Sequence, residues 1–569
     1  MSRIKYETAY AKKQLLSFGG IRIPSGVDGS NALDMRNLRI CSGGILKKRN
    51  GWSKMQPFAN TIRGVWQGTI AEQSYFFLVS GGMVFNIPEK RSRELLCTLY
   101  SIEGRVSFLR YRDHLYLLDG MQIWKFDPAE RKFVEALGYV PLYGYNWHPS
   151  QFGTVNEPLN LLNNSLRIHY KNSSGSSTIH LPFFAKRVNC VRVNNVNVTD
   201  YSFSTGSDRI TLSKSSVGDI VEVAITLNEK TELQEQLQQT TAGFVYQDGI
   251  REQLLLYGAP QGYRLFISSE VSDADLTYCS LFFSECDPLY LKQKQTLLIG
   301  DTDHPITAIC SNVDRLLVFH TAGAHSLTLN GDQSFTYPVL QNMGCLRNDA
   351  LTMIENDPIV INESGICKLH STVSDPESFS VTVLSQKIAD LLSTSFLQNA
   401  CLFWNAAKQE LWVRDTTEGT EGLVWIWNAE MDVWYPFNNI FATQFFLYQG
   451  ELAFASNADF CMFSTTQYND NNTEINAYYK SNFLSLSSHT PKRSARASVC
   501  MKAYGNSVTL ALTTERESGE RSFQSKEREA PELFEMQISH GRFRLVSLCI
   551  TCNGKKNAEI YEANIFTTQ

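Results

Sequence analysis

Along most of the chain, apolar residues come in runs of four or five, opened by a polar turn and closed by a small residue or glycine. The pattern reads QSYFFLVSGG at 73–82, DHLYLLDG at 113–120, DRLLVFHTAG at 314–323, DPIVINESG at 357–365, QELWVRD at 409–415 and GELAFAS at 450–456. Runs of this length, rich in β-branched and aromatic residues and bounded by turn formers, predict short strands. Second strands follow directly, as in MQIWKF after Gly120, AHSLTLNG after Gly323 and ICKLHS after Gly365. Two hairpins echo each other: IWKFDPAERKF (123–133) and VWIWNAEMDVW (424–434) set Trp124 nine residues before Phe133 and Trp425 nine before Trp434. VFNIPEKRSREL (84–95) is a looser third copy. Repeated antiparallel units of about 35–45 residues suit a β-propeller, in which each blade buries its faces against its neighbours. The expected fold class is therefore all-β: a propeller with an inserted β-sandwich-like module and a C-terminal β-sandwich-like module.

The texture along the chain divides it further. An extended N-terminal segment (1–58) precedes a first set of blades (59–140) and a turn-rich linker (141–164). An inserted β module with a short helix follows at 165–245, where NEKTELQEQLQQTT (228–241) is the strongest helical stretch. Blades resume over 246–467, and a C-terminal β module occupies 468–569. The stretch ERESGERSFQSKEREAPE (515–532) predicts a charged, mobile loop.

Composition narrows the chemistry. Apolar residues make up 43% of the 569, which marks a globular chain, and the net charge of -5 gives no general attraction to nucleic acid or anionic lipid. No apolar run is long enough to span a bilayer, and MSRIKYETAYAKKQLLSFGG lacks the apolar core of a secretory signal. The expectation is a soluble protein made in a reducing cytoplasm, with its thirteen cysteines as free thiols. Cys549 and Cys552 have the spacing of half a zinc site but no second half. Asp301, Asp303 and His304 form a short acidic turn of the kind usually solvated. SGGILKKR has no helix after it to complete a phosphate site. No phosphate-binding loop, nucleophile elbow or paired histidine motif occurs, and the basic clusters LKKR, EKRSR and PKRSAR lie far apart. The residues thus nominate no catalytic group, cofactor or metal.

The stretch LLSFGGIRIPSGVDGSNALDMRNLRICSGGILKKRNGW resembles the opening of a family of bacteriophage β-propeller virion proteins, the tail nozzle, stabilisation or head–tail adaptor type. The resemblance rests on Phe18, Gly19, Gly20, Asp34, Met35, Arg36, Asn37, Leu38, Arg49, Gly51 and Trp52, with Asn50 in place of a usual proline. Three later stretches fit in the same order. They are YVPLYG…NEPLNLLN, through Tyr139, Pro141, Glu157, Asn160, Leu161 and Leu162; GYRLFISSE…DPLYLKQKQTLLIG, through Arg264, Phe266, Ser268, Asp287, Pro288, Tyr290, Ile299 and Gly300; and YYKSNFLSLSSHTPKRSARASV. The resemblance implies a structural, non-enzymatic virion protein made in the bacterial host cytoplasm. It would assemble as a ring of copies, a hexamer, against neighbouring tail or adaptor proteins, with viral DNA in transit through the conduit. Trp52 would be a buried architectural anchor. The competing expectation is a propeller that binds or cleaves host-surface glycan. That reading requires a carboxylate pair or an exposed aromatic platform in a depression.

Overall fold

A computed structural model describes residues 12–23, 31–88, 92–144, 156–228, 230–247, 252–300, 303–312, 315–329, 335–336, 339–341, 343–371, 379–417, 421–485, 492, 494–539 and 542–568. Asp301 of the acidic turn and parts of the EKRSR and PKRSAR clusters lie outside them. The fold is all-β and propeller-like in its building blocks. The chain divides into two compact units, Arg63–Met343 and Met1–Ile62 with Gly344–Gln569.

The Arg63–Met343 unit holds four antiparallel meanders. The first runs through Ile62–Ile70, Gln73–Ser80, Met83–Asn86 and Glu94–Thr98, the second through Ser107–Tyr111, His114–Leu118, Ile123–Asp127 and Lys132–Glu135. The third comprises Ala242–Gln247, Glu252–Tyr257, Arg264–Ser268 and Leu291–Leu298. The fourth comprises Ala308–Asn312, Arg315–Phe319, Gly323–Leu329, Phe335–Thr336 and Val339–Gln341. Central strands are buried almost end to end, as in Gln73–Ser80, because both faces are covered. Neighbouring sheets share cores in series. Phe77 and Val79 pack with Leu117 and Phe126, Tyr116 and Leu118 with Leu254 and Phe266, and Leu265 and Ile267 with Leu316 and Val318. The second and third sheets thus meet directly although more than 100 residues of chain separate them.

That intervening chain forms one seven-stranded sheet through Leu142–Gly144, Ser165–Lys171, Thr178–Val193, Val196–Asn197, Tyr201–Phe203, Ser207–Leu212 and Ile220–Leu227. Thr178–Val193 is sixteen residues long and carries register shifts at three places. Such bulges bend a strand, and here a single sheet encloses a core of Ile168, Ile179, Val191, Ile210 and Val223. The helical stretch folds as Glu232–Gln238, capped by Thr231 and Gln234 in a reciprocal box, with Leu237 buried between the second and third meanders. The third meander begins at Ala242, inside the stretch assigned by sequence to the insertion.

A second helix, Asp273–Ser280, leads into the one departure from the thiol expectation. Cys279 and Cys286 are bonded, while Cys41, Cys97, Cys190, Cys310, Cys345, Cys367, Cys401, Cys461, Cys500, Cys549 and Cys552 remain thiols outside any disulfide. The chain turns back after the helix and brings the two Cα atoms to 6.4 Å, a proximity that a separation of seven residues does not announce. Denatured, unreduced protein is expected to titrate eleven thiols, and thirteen after reduction. A count of thirteen without reductant would remove the bond.

The other unit holds three meanders. They are Leu351–Ile354, Asp357–Asn362, Gly365–Ser371 and Phe379–Val383; then Ala400–Asn405, Glu410–Asp415, Val424–Asn428 and Val433–Phe437; then Gln444–Tyr448, Glu451–Ser456 and Asp459–Phe463. The last is completed by Trp52–Pro57 from the other end of the sequence. The unit also contains a sandwich of two sheets. One is built on Ser494–Lys502, Glu532–Ile538 and Glu559–Thr568, the other on Thr473–Ser481, Ser507–Thr514 and Leu545–Gly554. The N-terminal segment is woven into both: Lys12–Leu15 and Ile45–Lys48 pair with Glu559–Thr568, and Ala32–Arg36 pairs with Thr473–Ser481.

Two expectations change here. The charged stretch 515–532 is structured: Ser518–Gln524 forms an edge strand on Ser507–Thr514. Its exposed Glu520 and Arg521 put charge on that edge, which disfavours pairing with another chain. The two echoing hairpins do share a register, Phe126 facing Phe133 and Trp427 facing Trp434, each as the third and fourth strands of a meander. They fall, however, in different units.

Candidate functional site

The N-terminal motif residues converge on one buried joint. Asn37 adopts φ 55°, a left-handed conformation that asparagine tolerates better than most residues, and it sits between Ala32–Arg36 and Leu38–Cys41. Arg49 and Asp470 are each 1% exposed in their side chains and form a two-pronged pair, Nη1–Oδ1 2.8 Å and Nη2–Oδ2 2.5 Å. Arg49 Nε donates to Asn37 Oδ1 at 2.8 Å and Nη2 to the Asn438 carbonyl at 2.8 Å. Asn37 Nδ2 donates to Asn438 Oδ1 and to the Asn476 carbonyl, and Asn439 Nδ2 to Asp470 Oδ2. A buried charge needs this degree of saturation to be tolerated. Beside it, a Cβ on Gly51 would lie 1.8 Å from the Asn469 carbonyl oxygen, and one on Gly20 2.6 Å from the Trp434 carbonyl oxygen. Backbone crowding therefore requires glycine at both places. Phe18 packs edge-on against Tyr479, Asp34 accepts from the Tyr478 hydroxyl at 2.7 Å, and Trp434 Nε1 donates to the Leu384 carbonyl. The motif is a fastening between the Ala400–Phe437 meander and the sandwich.

Trp52 is half-buried, less than the buried anchor expected but not solvent-exposed. It lies on a strand that completes a meander from outside, so one side of the ring stays open. Its Nε1 donates to the Asn439 carbonyl and its ring makes a T-shaped contact with Phe454 at 5.4 Å. Lys48, next to Arg49, is wholly buried and donates to the Gly554 carbonyl. Burial lowers its pKa from 10.5 to about 8. Between pH 8 and 10.5 the unfolded chain then holds a proton that the folded chain has lost, so this group adds stability as pH rises through that window, about 3 kcal/mol in all. The stability difference between wild type and Lys48→Met is expected to move in favour of wild type from pH 8 to 10.5. Parallel pH profiles would contradict the burial of a charged lysine.

The second group of motif residues forms a separate joint inside the Arg63–Met343 unit. Asp287, fully buried, accepts from the Tyr116 hydroxyl at 2.7 Å and from the amides of Gly138 and Leu289 at 3.0 Å each. Burial, reinforced by this carboxylate, raises the Tyr116 pKa well above the usual phenol value. Asn160, also fully buried, donates to the carbonyls of Tyr139 and Leu289 and accepts from the Leu162 and Leu291 amides. Tyr290 donates to the Pro158 carbonyl. Arg167, absent from the sequence reading, continues the joint into the inserted sheet through Val140 O and the Tyr139 hydroxyl. The remaining motif residues stand apart. Trp124 donates to Asp119, Arg264 lies over the Tyr263 ring with its Nε unbonded, and Trp425 is buried with its indole nitrogen unbonded.

One pocket of about 410 Å³ opens within the Met1–Ile62, Gly344–Gln569 unit. Trp412, Phe437 and Phe463 form an aromatic floor, with Trp412 edge-on to both. Arg39 lines one wall and is held by Glu410, Nε–Oε1 2.5 Å and Nη2–Oε2 3.1 Å. Glu410, 1% exposed, also accepts from Trp412 Nε1 at 3.1 Å and the Tyr435 hydroxyl at 2.8 Å. Burial works against the Arg39 charge, but Glu410 and Tyr435 overcome it and raise the pKa above the ordinary arginine value. At the mouth stand Trp404, half-exposed, and Lys408, Leu447 and Glu451, exposed. Of the lining, only Arg49 and Asn50 belong to a motif; for the others the aromatic density of NACLFW and QELWVRD was the available signal. Among the described residues no group of His, Cys, Asp and Glu is arranged to hold a metal ion, and no helix is long and apolar enough to cross a membrane.

No protein-family model matches the chain, and no curated protein does. Solved structures similar to it include the extracellular domain of a one-component system from B. thetaiotaomicron, at 10% identity and TM-score 0.39, covering 94% of this chain; the chain spans 63% of that structure's length. Virginiamycin B lyase from Staphylococcus aureus matches at 7% identity and TM-score 0.37, covering 73% of this chain and all of the lyase. A glycoside hydrolase family 43 arabinoxylan arabinofuranohydrolase from Bacillus subtilis matches at 12% identity and TM-score 0.20, covering 70% and 98%. Two of these three are enzymes, so the expectation of a chain without catalysis is withdrawn. At these TM-scores the matches supply no active site, substrate or reaction in its place.

Proposed function

We propose that the chain is an architectural component of a tailed-phage virion, built as a ring of copies into the tail conduit through which the genome leaves. One observation carries this reading. Phe18, Gly20, Asn37, Gly51, Asn160 and Asp287, which bear the resemblance to such virion proteins, are spent in buried joints between sheets, and so is Arg49, although it also borders the pocket. Residues used this way fix modules to one another, which is what a subunit of a rigid ring requires. A heterologous interface repeated about an axis closes such a ring, and the net charge of -5 suits a wall past which DNA must slide without being held. Cryo-electron microscopy of intact particles tests it: several copies about the tail axis are expected. Absence from the particle, or a single copy at a fibre tip, would overturn it.

A second reading, a propeller that binds or cleaves host-surface glycan, is favoured by the aromatic-floored pocket with Trp404 at its mouth.

A further inference from the structure

The pocket between the Ala400–Phe437 meander and its neighbour carries two kinds of group that a folded protein rarely leaves together. Its floor is aromatic, and several polar groups around it are unspent. Asn405 is 6% exposed, yet its side chain caps no helix and has no hydrogen-bond partner among the described residues. Its amide atoms are not sealed in the protein but reach the pocket, where a ligand or water can meet them. The Trp404 indole, also on the lining, has no hydrogen-bond partner among the described residues, and the Lys408 ammonium and Glu451 carboxylate there interact through their charges without a hydrogen bond.

Charge and size narrow the occupant. Arg39 is matched by Glu410 and Arg49 by Asp470, which leaves Lys408 offset by Glu451. The pocket therefore has no surplus of either sign, which disfavours a phosphate, a uronate or a polyamine. A volume of about 410 Å³ falls in the range of about 300–1,000 Å³ found for small-molecule sites. An aromatic face with an amide, a carboxylate and an ammonium at its edge matches a ring that has one apolar C–H face and hydroxyls around its rim. We propose that this pocket binds a neutral pyranoside. Trp404 stacks against the C–H face, the Asn405 amide donates to one hydroxyl and accepts from another, and Lys408 and Glu451 engage the hydroxyls nearest the mouth. This rests on the second functional reading and names its ligand class and residues. It requires no bond to be broken.

The test is a screen of the full chain against immobilised glycans, followed by calorimetric titration with maltose, cellobiose, lactose and chitobiose. Wild type, Trp404→Ala, Asn405→Ala and the paired surface variant Lys408→Ala/Glu451→Gln are compared, with thermal unfolding recorded for each. Binding of at least one neutral glycan is expected, weakened at least about tenfold in the first two variants at an unchanged unfolding midpoint. Should either variant unfold, the surface pair, which removes no buried group, decides the matter by the same tenfold criterion. Glycan binding that survives in all variants would overturn this site while leaving the glycan reading intact. Preference for uronate-bearing glycans would overturn the neutral class. Failure of wild type to bind any glycan would overturn both.

Discussion

Replacing Arg49 by methionine is expected to destabilise its unit by about 3–5 kcal/mol, the cost of stripping one partner from a fully buried ion pair. The size of the effect follows from what remains behind. Asp470 would keep one donor, Asn439 Nδ2, in a site where its side chain is 1% exposed, and Asn37 Oδ1 and the Asn438 carbonyl would each lose a donor. Asp470→Asn should also be strongly destabilising, because it keeps an acceptor but leaves the Arg49 charge buried without its countercharge. The double variant Arg49→Met/Asp470→Leu should recover much of the loss, since well-packed apolar pairs often replace buried ion pairs at little cost. Urea unfolding followed by tryptophan emission is weighted toward this unit, which holds Trp52, Trp404, Trp412, Trp425, Trp427 and Trp434, six of the nine tryptophans. A loss under about 1 kcal/mol, the value of an exposed pair, would contradict the joint.

Asp287→Ala should be of similar size in the other unit, again about 3–5 kcal/mol. It orphans three donors at once, the Tyr116 hydroxyl and the Gly138 and Leu289 amides, each worth about 1–3 kcal/mol when buried and unpaired. It also leaves Lys125 Nζ, now 3.6 Å from the carboxylate, without that countercharge. Asp287→Asn retains an acceptor and should cost distinctly less. Hydrogen exchange locates the effect: the Gly138 and Leu289 amides should lose protection in Asp287→Ala and largely keep it in Asp287→Asn. Equal exchange in wild type and the alanine variant would show that the carboxylate does not fasten this joint.

How far the sequence reaches differs by feature. Strand runs such as Gln73–Ser80 and Glu410–Asp415 were legible because short apolar runs, chain stiffness and turn residues are local properties. The two-residue turns at Asn194–Asn195 and Asn471–Asn472, where both residues take positive φ, are signalled by their own chemistry. Equivalent turns at Ala71–Glu72 and Arg112–Asp113 carry much weaker local signal, since pairing of the flanking strands imposes the left-handed conformation. The helix at Glu232–Gln238 announced itself through the Thr231–Gln234 box. By contrast, 515–532 looked like a loop because its charges hide the strand period; an edge strand in water needs no apolar face.

By itself, the sequence determined the all-β class, the short strands of the meanders and the capped helix. Each of these depends on neighbours a few positions away or on residue types suited to burial. Only the tertiary structure decided that Trp52–Pro57 completes a meander some 400 residues downstream and that the N-terminal strands belong to the C-terminal sandwich. It also decided that Cys279 meets Cys286 and that Asn405 reaches a pocket with its amide unspent. These outcomes are set by long-range strand pairing, whose hydrogen bonds join backbone to backbone and therefore leave little trace in which side chains the sequence spells.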